Sequence, residues 1–203
     1  MIHIFQQRSD NTSPTFLMLH GIGGSERDLI PLAKKLNPEA NVLSVRGRVL
    51  ENRKTHFFKS STFDETDLRI RTEELNEFLI EAAERYQFDR GQLVALGYGN
   101  GADVAINLLF SYPEALKGAI LFHPLMGELS LRSLREPNLV NRSIFIGASH
   151  NNAFCPKETT IELGEKFKLA QADVTLHFEH SLHYLTGEIF AASKAWYEST
   201  FLK

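Results

Sequence analysis

The stretch from Leu93 to Ala105 has a composition that could present a reactive side chain. An apolar run that predicts a strand leads into the turn Gly97-Tyr98-Gly99-Asn100-Gly101, and an apolar-faced helix follows. A sharp strand-to-helix turn with the pattern G-x-S-x-G exposes a nucleophilic serine above a parallel sheet. Gly99 occupies the central position here. The pattern therefore predicts a nucleophile turn that carries no hydroxyl.

The same glycines also fit a second chemistry, the binding of a dinucleotide. Gly97, Gly99 and Ala102 match the G-x-G-x-x-G/A fingerprint, with a predicted strand before it and a predicted helix after it. That fingerprint requires an acidic residue about 20 positions later, at the end of the next strand. The next predicted strand ends in Phe122-His123-Pro124, without an acid. Dinucleotide binding is therefore the less favoured alternative.

Other reactive side chains have simpler interpretations. His177, His180 and His183 recur at every third residue, but residues three apart in a strand point to opposite faces and no carboxylate or thiolate completes a ligand set. We therefore expect neither a metal nor another cofactor. The single cysteine, Cys155, is interpreted as a small buried apolar residue rather than a replacement nucleophile. Asp103 is expected to be exposed on its helix.

Composition places the chain in a broad class. Its 203 residues, 43% apolar and 23% charged, are ordinary for one globular domain spanning residues 1–203. A net charge of −3 predicts neither a nucleic-acid nor an anionic-membrane partner. The N-terminal residues show no secretion signal, and no run reaches the about 18 apolar residues of a membrane span. We expect a cytoplasmic protein.

Short apolar runs alternate with helical patterns along the chain. Strands are predicted at residues 2–6, 16–20, 41–45, 93–96, 118–123, 143–148 and 173–178, and helices at 25–36, 67–86, 156–170, 186–201 and between the glycine turn and Pro113. The first strand is expected at a sheet edge. Residues 51–67 show no strand or helix period, and residues 128–142 are interpreted as a surface excursion. Continuous apolar strands between amphipathic helices predict an α/β fold, a doubly wound and mostly parallel sheet with helices on both faces.

Four segments together resemble the α/β-hydrolase superfamily, and within it the small lidless carboxylesterases, phospholipases and dienelactone hydrolases. They are Leu19-His20-Gly21-Ile22-Gly23-Gly24, Val45-Arg46-Gly47, Gly97-Tyr98-Gly99-Asn100-Gly101-Ala102 and Leu182-His183-Tyr184-Leu185. They occur in the family's order over nearly the whole chain. The resemblance implies a lidless α/β-hydrolase fold.

The resemblance also implies a role for individual residues. Gly99 lies at the nucleophile position, Asn152 at the position of the acid, and His183 at that of the base. The backbone N–H groups of Ile22 and Asn100 would form the oxyanion hole, whatever their side chains. The residues expected around the pocket are His20, Gly21, Gly23, Phe57, Phe58 and Tyr98, although Phe57 and Phe58 could equally form a small core cluster under a long loop.

The residues at positions 99 and 152 predict a chain without serine-esterase turnover. Loss of the nucleophile costs about 2 × 10⁶ in turnover in subtilisin, and a triad Asp→Asn change roughly 10⁴ in a chymotrypsin-type protease; these losses do not add. Glycine also relieves backbone strain of about 1–3 kcal/mol at such a turn. Drift after the loss of catalytic selection would therefore favour Gly99.

The favoured hypothesis is a hydrolase-family protein that binds a small ester, lactone or aromatic ligand. The competing hypothesis is a working carboxylesterase, either because Gly99 is an introduced substitution or because another group attacks the ester. No nucleic acid or membrane is expected as a partner, and the residues leave a homodimer open.

Overall fold

The computed structural model describes residues 1–10, 12–59, 64–126, 128–135, 137–152, 154, 156–180 and 184–202. The strands are His3–Gln6 (β1), Thr15–Leu19 (β2), Asn41–Val45 (β3), Val49–Glu51 (β4), Lys54–His56 (β5), Leu93–Tyr98 (β6), Gly118–Phe122 (β7), Ser143–Ser149 (β8) and Asp173–Glu179 (β9). The α-helices are Ile30–Leu36 (α1), Glu65–Tyr86 (α2), Asn100–Ser111 (α3), Glu128–Ser133 (α4), Lys157–Leu169 (α5) and Gly187–Phe201 (α6).

Seven of these strands form one sheet in the order β1-β3-β2-β6-β7-β8-β9. Within this sheet, as far as its strands are described, only the edge strand β1 runs antiparallel to its neighbour. Every residue of β2, β3 and β7 is buried, because the sheet is covered on both faces. The predicted doubly wound, mostly parallel α/β fold is therefore confirmed, as is the edge position of the first strand.

Alternate residues of the central strands supply two separate cores. Leu17 and Leu19 belong to the core under α2, α3 and α5, whereas Phe16 and Met18 belong to the core under α1 and α6. This division follows from the two-residue period of a strand. Because β2, β6, β7 and β8 run parallel, their carboxyl ends meet along one rim of the sheet. Ligands bind at this rim in open α/β folds.

The prediction that residues 51–67 lack secondary structure was wrong. Glu51, the last residue of β4, pairs with Lys54 of β5 in a hairpin, and α2 begins at Glu65. The two connecting residues, Asn52 and Arg53, both have positive φ (49° and 63°), as a type I′ hairpin turn requires. Three-residue strands are too short to show a period, and an Asn-Arg turn lacks the glycine that usually reveals such a hairpin.

Two further element predictions need correction. Helix α1 begins at Ile30 rather than near Ser25, because the Ser25 hydroxyl donates to Asp28 Oδ1 (2.7 Å) within a preceding turn. The polar region 128–142 contains helix α4, and it is anchored by Leu131 and Leu139, which are fully buried. Among the helices within the described ranges, none has the length and apolar character needed to cross a membrane.

Candidate active site

The turn between β6 and α3 has the backbone shape that the sequence predicts. Gly99 adopts φ 54° and ψ −119°, a conformation that a residue with a Cβ adopts only under strain. A Cβ at Gly101 would lie 2.1 Å from the Leu19 carbonyl oxygen, and one at Gly97 would lie 2.7 Å from Ala102 Cα. The flanking glycines therefore allow α3 to begin directly against β2 and β6.

The loop after β2 is fixed by His20, which is buried. The Gly47 N–H donates to Nε2 of His20 (3.0 Å), so the ring must carry its proton on Nδ1, which then donates to the Gly21 carbonyl (2.7 Å). Burial lowers the pKa of His20, and this favours the neutral ring that the arrangement needs. His20 thus joins the loop that contains Ile22 to the end of β3.

The β4–β5 hairpin braces the same loop from the other side. The Gly23 N–H donates to the Thr55 carbonyl (2.8 Å), and the Thr55 hydroxyl donates to the Gly24 carbonyl. A bidentate pair between Glu26, which is buried, and Arg46 adds a third tie. The hydrogen bond from Arg46 holds the pKa of the Glu26 carboxyl below its usual range.

Two backbone amides at this rim make no hydrogen bond to the part of the chain that the structure describes. Within the described residues, neither the Ile22 N–H nor the Asn100 N–H donates a hydrogen bond to backbone or side chain. Asn100 is the first residue of α3, where an N–H has no acceptor inside the helix. Two such amides are what an oxyanion hole requires, and their assignment to one stays a prediction.

A cavity of about 250 Å³ lies over the turn. Its described lining residues are Ile22, Lys54, Tyr98, Gly99, Leu125 and Phe154. Two of these apolar side chains are open to solvent, Ile22 at 43% and Phe154 at 73% exposure. Burial, with a smaller contribution from Tyr184, raises the pKa of the Tyr98 phenol. The cavity is therefore mainly apolar, with one amine and one un-ionised phenol.

Only part of the predicted pocket lines this cavity. Tyr98 does so, whereas Phe57 and Phe58 belong to the core that also contains residues of α2, with 3% and 0% exposure. The expectation that they surround the pocket is corrected. Phe57 nevertheless contributes through its backbone, since its N–H donates to Oδ1 of Asn100 (2.6 Å).

The remaining predicted pocket residues support the wall from behind. His20 is 1% exposed and does not line the cavity. A Cβ at Gly21 would lie 2.6 Å from Tyr98 Cδ1, and one at Gly23 would lie 3.6 Å from Lys54 Cγ. These two glycines therefore lie beneath side chains that form the wall.

Asn152, which stays only a predicted acid position, lies after β8 and is held by a local turn. Asn152 is 7% exposed, and its Oδ1 accepts the N–H of Phe154 (2.9 Å). Phe154, whose N–H makes this contact, has its side chain in the wall of the cavity. As an amide, Asn152 cannot supply the negative charge with which an aspartate would stabilise an imidazolium.

The base position, His183, and the cysteine, Cys155, lie outside the described residues. The chain on either side of His183 is well anchored. Thr186 donates its hydroxyl to Oε2 of Glu179, which is buried at the end of β9, and the Tyr184 carbonyl lies 2.9 Å from Nε2 of His123. Neither Glu179 nor His123 was predicted from the sequence to support this part of the site.

The expectation that Asp103 is exposed was wrong. It is 1% exposed, and its carboxylate accepts the N–H groups of Leu125 (2.8 Å from Oδ1) and Met126. Burial raises its pKa to about 7. The sequence does not reveal this burial, because Asp103 shares one helical face with Asn100, Asn107 and Ser111, and such a polar stripe usually faces solvent.

No metal-binding group can be assigned in the described part of the chain, where no three His, Cys, Asp or Glu side chains come together. His150 and His180 stack with ring centroids 4.7 Å apart, whereas His177 stacks on Phe145 instead. His177 and His180, the two described members of that series, therefore pack against different partners, and His183 lies outside the described residues.

Comparison with known proteins agrees with this geometry. The sequence model of the dienelactone hydrolase family matches residues 51–185. The chain is 41% identical over 202 residues to the putative hydrolase MhqD of Bacillus subtilis, covering 98% of each chain. It is 47% identical to the Bacillus cereus carboxylesterase, whose crystal structure superposes with a TM-score of 0.93 over 98% of this chain and 94% of that one.

A protein of unknown function from Agrobacterium tumefaciens, Atu2452, is 27% identical and superposes with a TM-score of 0.88 over 98% of this chain and 96% of that one. These comparisons do not support the dinucleotide-binding alternative for Gly97, Gly99 and Ala102. They confirm the resemblance on which the site was predicted. The chain therefore belongs to the dienelactone hydrolase family of α/β-hydrolases.

Proposed function

We propose that this chain binds a small ester, lactone or aromatic ligand in the cavity over Gly99 and does not turn over esters as a serine hydrolase. The observation that carries the proposal is the turn itself. It has the strained backbone shape of a nucleophile position, at φ 54°, yet its residue has no side chain. A family fold with that turn and without its hydroxyl retains binding and loses acyl transfer.

The cavity suits a small, mainly apolar ligand. Drug-sized ligands occupy pockets of about 300–1,000 Å³, and this cavity, at about 250 Å³, is smaller. Ile22, Leu125 and Phe154 offer apolar surface, and Tyr98 offers an aromatic face. The Ile22 and Asn100 N–H groups, which make no hydrogen bond to the described residues, would donate to a carbonyl oxygen, and this favours an ester, a lactone or a ketone.

The described lining offers no ready substitute for the serine. Its side-chain heteroatoms belong to Lys54 and Tyr98. Because burial raises the pKa of Tyr98, its phenol stays protonated and poorly nucleophilic at neutral pH. Asn152 cannot act as the charged member of a triad. The names of the relatives, a putative hydrolase and a carboxylesterase, still favour a working esterase as the second candidate, and Lys54 is the side chain that it would need.

Two measurements on the unaltered chain test the proposal. The first is hydrolysis of 4-nitrophenyl acetate, for which we expect no rate above that of buffer containing an equal amount of heat-denatured chain. The second is calorimetric binding of 4-phenyl-2-butanone, the ketone isostere of benzyl acetate, for which we expect saturable binding. Leu125→Trp should fill the cavity and abolish binding. The matched control, Leu169→Trp, changes a residue that is 74% exposed on α5 and should bind normally.

Turnover by the unaltered chain would overturn the proposal. If Lys54→Met then removed that turnover, the attack would be assigned to the amine. Equal binding by the two tryptophan variants would show that the ligand does not occupy this cavity.

A further inference from the structure

One wall of the cavity is held by a carboxyl group that does not reach the cavity. The loop after β7 places Leu125 in the wall and Met126 in the core. Both backbone N–H groups of these residues donate to Asp103, which lies one helical turn beyond Gly99 on α3. The position of Leu125 therefore depends on a side chain from the helix that begins at the turn.

Among the described residues, no cation contributes to the ionisation of Asp103. The described residues contribute no charged group to its ionisation, which is governed by burial and by the two N–H donors alone. The titratable side chains on the surrounding elements are engaged elsewhere. His20 accepts the Gly47 N–H, and His123 contacts the Tyr184 carbonyl. On α2, Asp67 binds Arg71, whereas Glu73 and Glu77 add to the effect of burial in raising the pKa of Tyr112. Tyr98 lines the cavity.

We propose that Asp103 is a positioning residue for the cavity wall, and that the gain or loss of its proton changes how tightly the cavity holds a ligand. The proposal rests on the proposed function only for its second readout, ligand affinity. Hydrogen bonds to a carboxylate are shorter and roughly twice as strong as those to a neutral acceptor. The ionised form consequently fixes Leu125, and the protonated form loosens it.

Asp103 ionises in a pH range in which its proton could control ligand binding. Burial raises the pKa of Asp103 to about 7, so both forms are populated near neutral pH. The two amides weaken this shift because they favour the charged form. Acidification from about pH 8 to about pH 6 should therefore weaken ligand binding, by about threefold to tenfold for the loss of charge assistance.

The first test follows the backbone amides of Leu125 and Met126 by nuclear magnetic resonance from about pH 5.5 to about pH 8.5, without ligand. We expect both amide protons to shift together with a midpoint near the expected value of about 7. Asp103→Asn should remove the transition, whereas the same change at the surface, Asp10→Asn, should leave it intact. Absence of a shared transition in the unaltered chain would overturn the inference, whether or not Asp103→Asn folds.

The second test measures the dissociation constant of 4-phenyl-2-butanone over the same pH range. We expect the affinity of the unaltered chain to fall on acidification, and that of Asp103→Asn to vary less. An equal pH dependence in both would overturn the inference, because another group would then be responsible. Loss of ligand binding at every pH, with the amide transition intact, would overturn the proposed function and leave the positioning role standing.

Discussion

The two sides of the site differ in what they are made of. The side that would bind a carbonyl oxygen consists of backbone groups in the loop after β2, tied down by His20, by Thr55 of the hairpin and by the Glu26–Arg46 pair. The side that would do the chemistry depends on two side chains, and both positions hold residues without the required group, Gly99 and Asn152.

Under the proposed function, this difference would let the chain lose catalysis while keeping binding. A backbone amide is present whatever the residue, so the loop keeps its chemistry as long as it keeps its shape. A nucleophile or an acid is lost by a single substitution, with no change of shape. The following predictions test that contrast, from the largest expected effect to the smallest.

Restoring the two side chains should restore chemistry if the backbone side is intact. For Gly99→Ser with Asn152→Asp we expect hydrolysis of 4-nitrophenyl acetate to rise at least about 10³-fold over the unaltered chain. The strained turn should lower the free energy of unfolding by about 1–3 kcal/mol. Gly99→Ala with Asn152→Asp has the same strain without the hydroxyl and should stay inactive. A folded but inactive double variant would mean that the oxygen-binding side is not functional.

Crowding the backbone should damage the site more than changing its side chains does. Gly101→Ala would place a Cβ 2.1 Å from the Leu19 carbonyl oxygen, so β2 and α3 would have to separate. We expect a loss of about 3 kcal/mol or more in urea unfolding. Gly187→Ala is the matched control, because a Cβ there meets nothing within 4 Å. Equal stability of the two variants would contradict the tight approach.

The buried carboxyl on α3 should make stability depend on pH. Because the pKa of Asp103 is about 7 in the folded chain, against an ordinary value of 3.8, the folded state keeps a proton that the unfolded state has released. The stabilisation from this bound proton is complete below the pKa of Asp103 in the unfolded chain and disappears as the pH rises through about 7. Between about pH 5 and about pH 8 this amounts to roughly 2–3 kcal/mol of lost stability. Asp103→Asn should lack that slope in urea titrations, and an unchanged slope would assign it to another group.

The ion pair between Glu26 and Arg46 should make the stability of the fold increase with pH, in contrast to the effect of Asp103. Arg46 holds the pKa of Glu26 below its usual range in the folded chain. The pair therefore stabilises the fold at a pH above the pKa of Glu26 in the unfolded chain, and this stabilisation disappears as the pH falls through the lowered pKa of the folded chain. Arg46→Met should lower the urea midpoint at neutral pH and approach the unaltered chain in acid. Arg27→Met is the control, because Arg27 lies 3.9 Å from Glu26 with a side chain that is 77% exposed. A difference that persisted in acid would point to lost packing instead.

The overall architecture could be predicted because continuous apolar runs mark the buried strands. The run before Gly97 and the apolar helix after Gly101 also define the turn between them, and the structure shows that turn. The hairpin of β4 and β5 could not be predicted, since its strands are three residues each and its contacts reach Gly23, far away in the sequence.

The site was predicted less completely, because its wall depends on distant contacts. Lys54, Leu125 and Phe154 come from three different loops or strands, and no local pattern relates them. Phe57 and Phe58 look the same in the sequence whether they face a cavity or a core. The burial of Asp103 could not be predicted either, since it shares a polar helical face with Asn107 and Ser111 and its donor, the Leu125 N–H, comes from a distant loop.

The conformation of Gly99 has a consequence for what this scaffold could become. The residue already has the torsion angles that a reactive side chain would need, and glycine codons differ from those of serine, cysteine or aspartate by a single base in many cases. New catalytic groups could therefore be introduced there, by natural mutation or by design, without rebuilding the surrounding chain. The bare turn therefore makes the protein a starting point for introducing a chosen catalytic group.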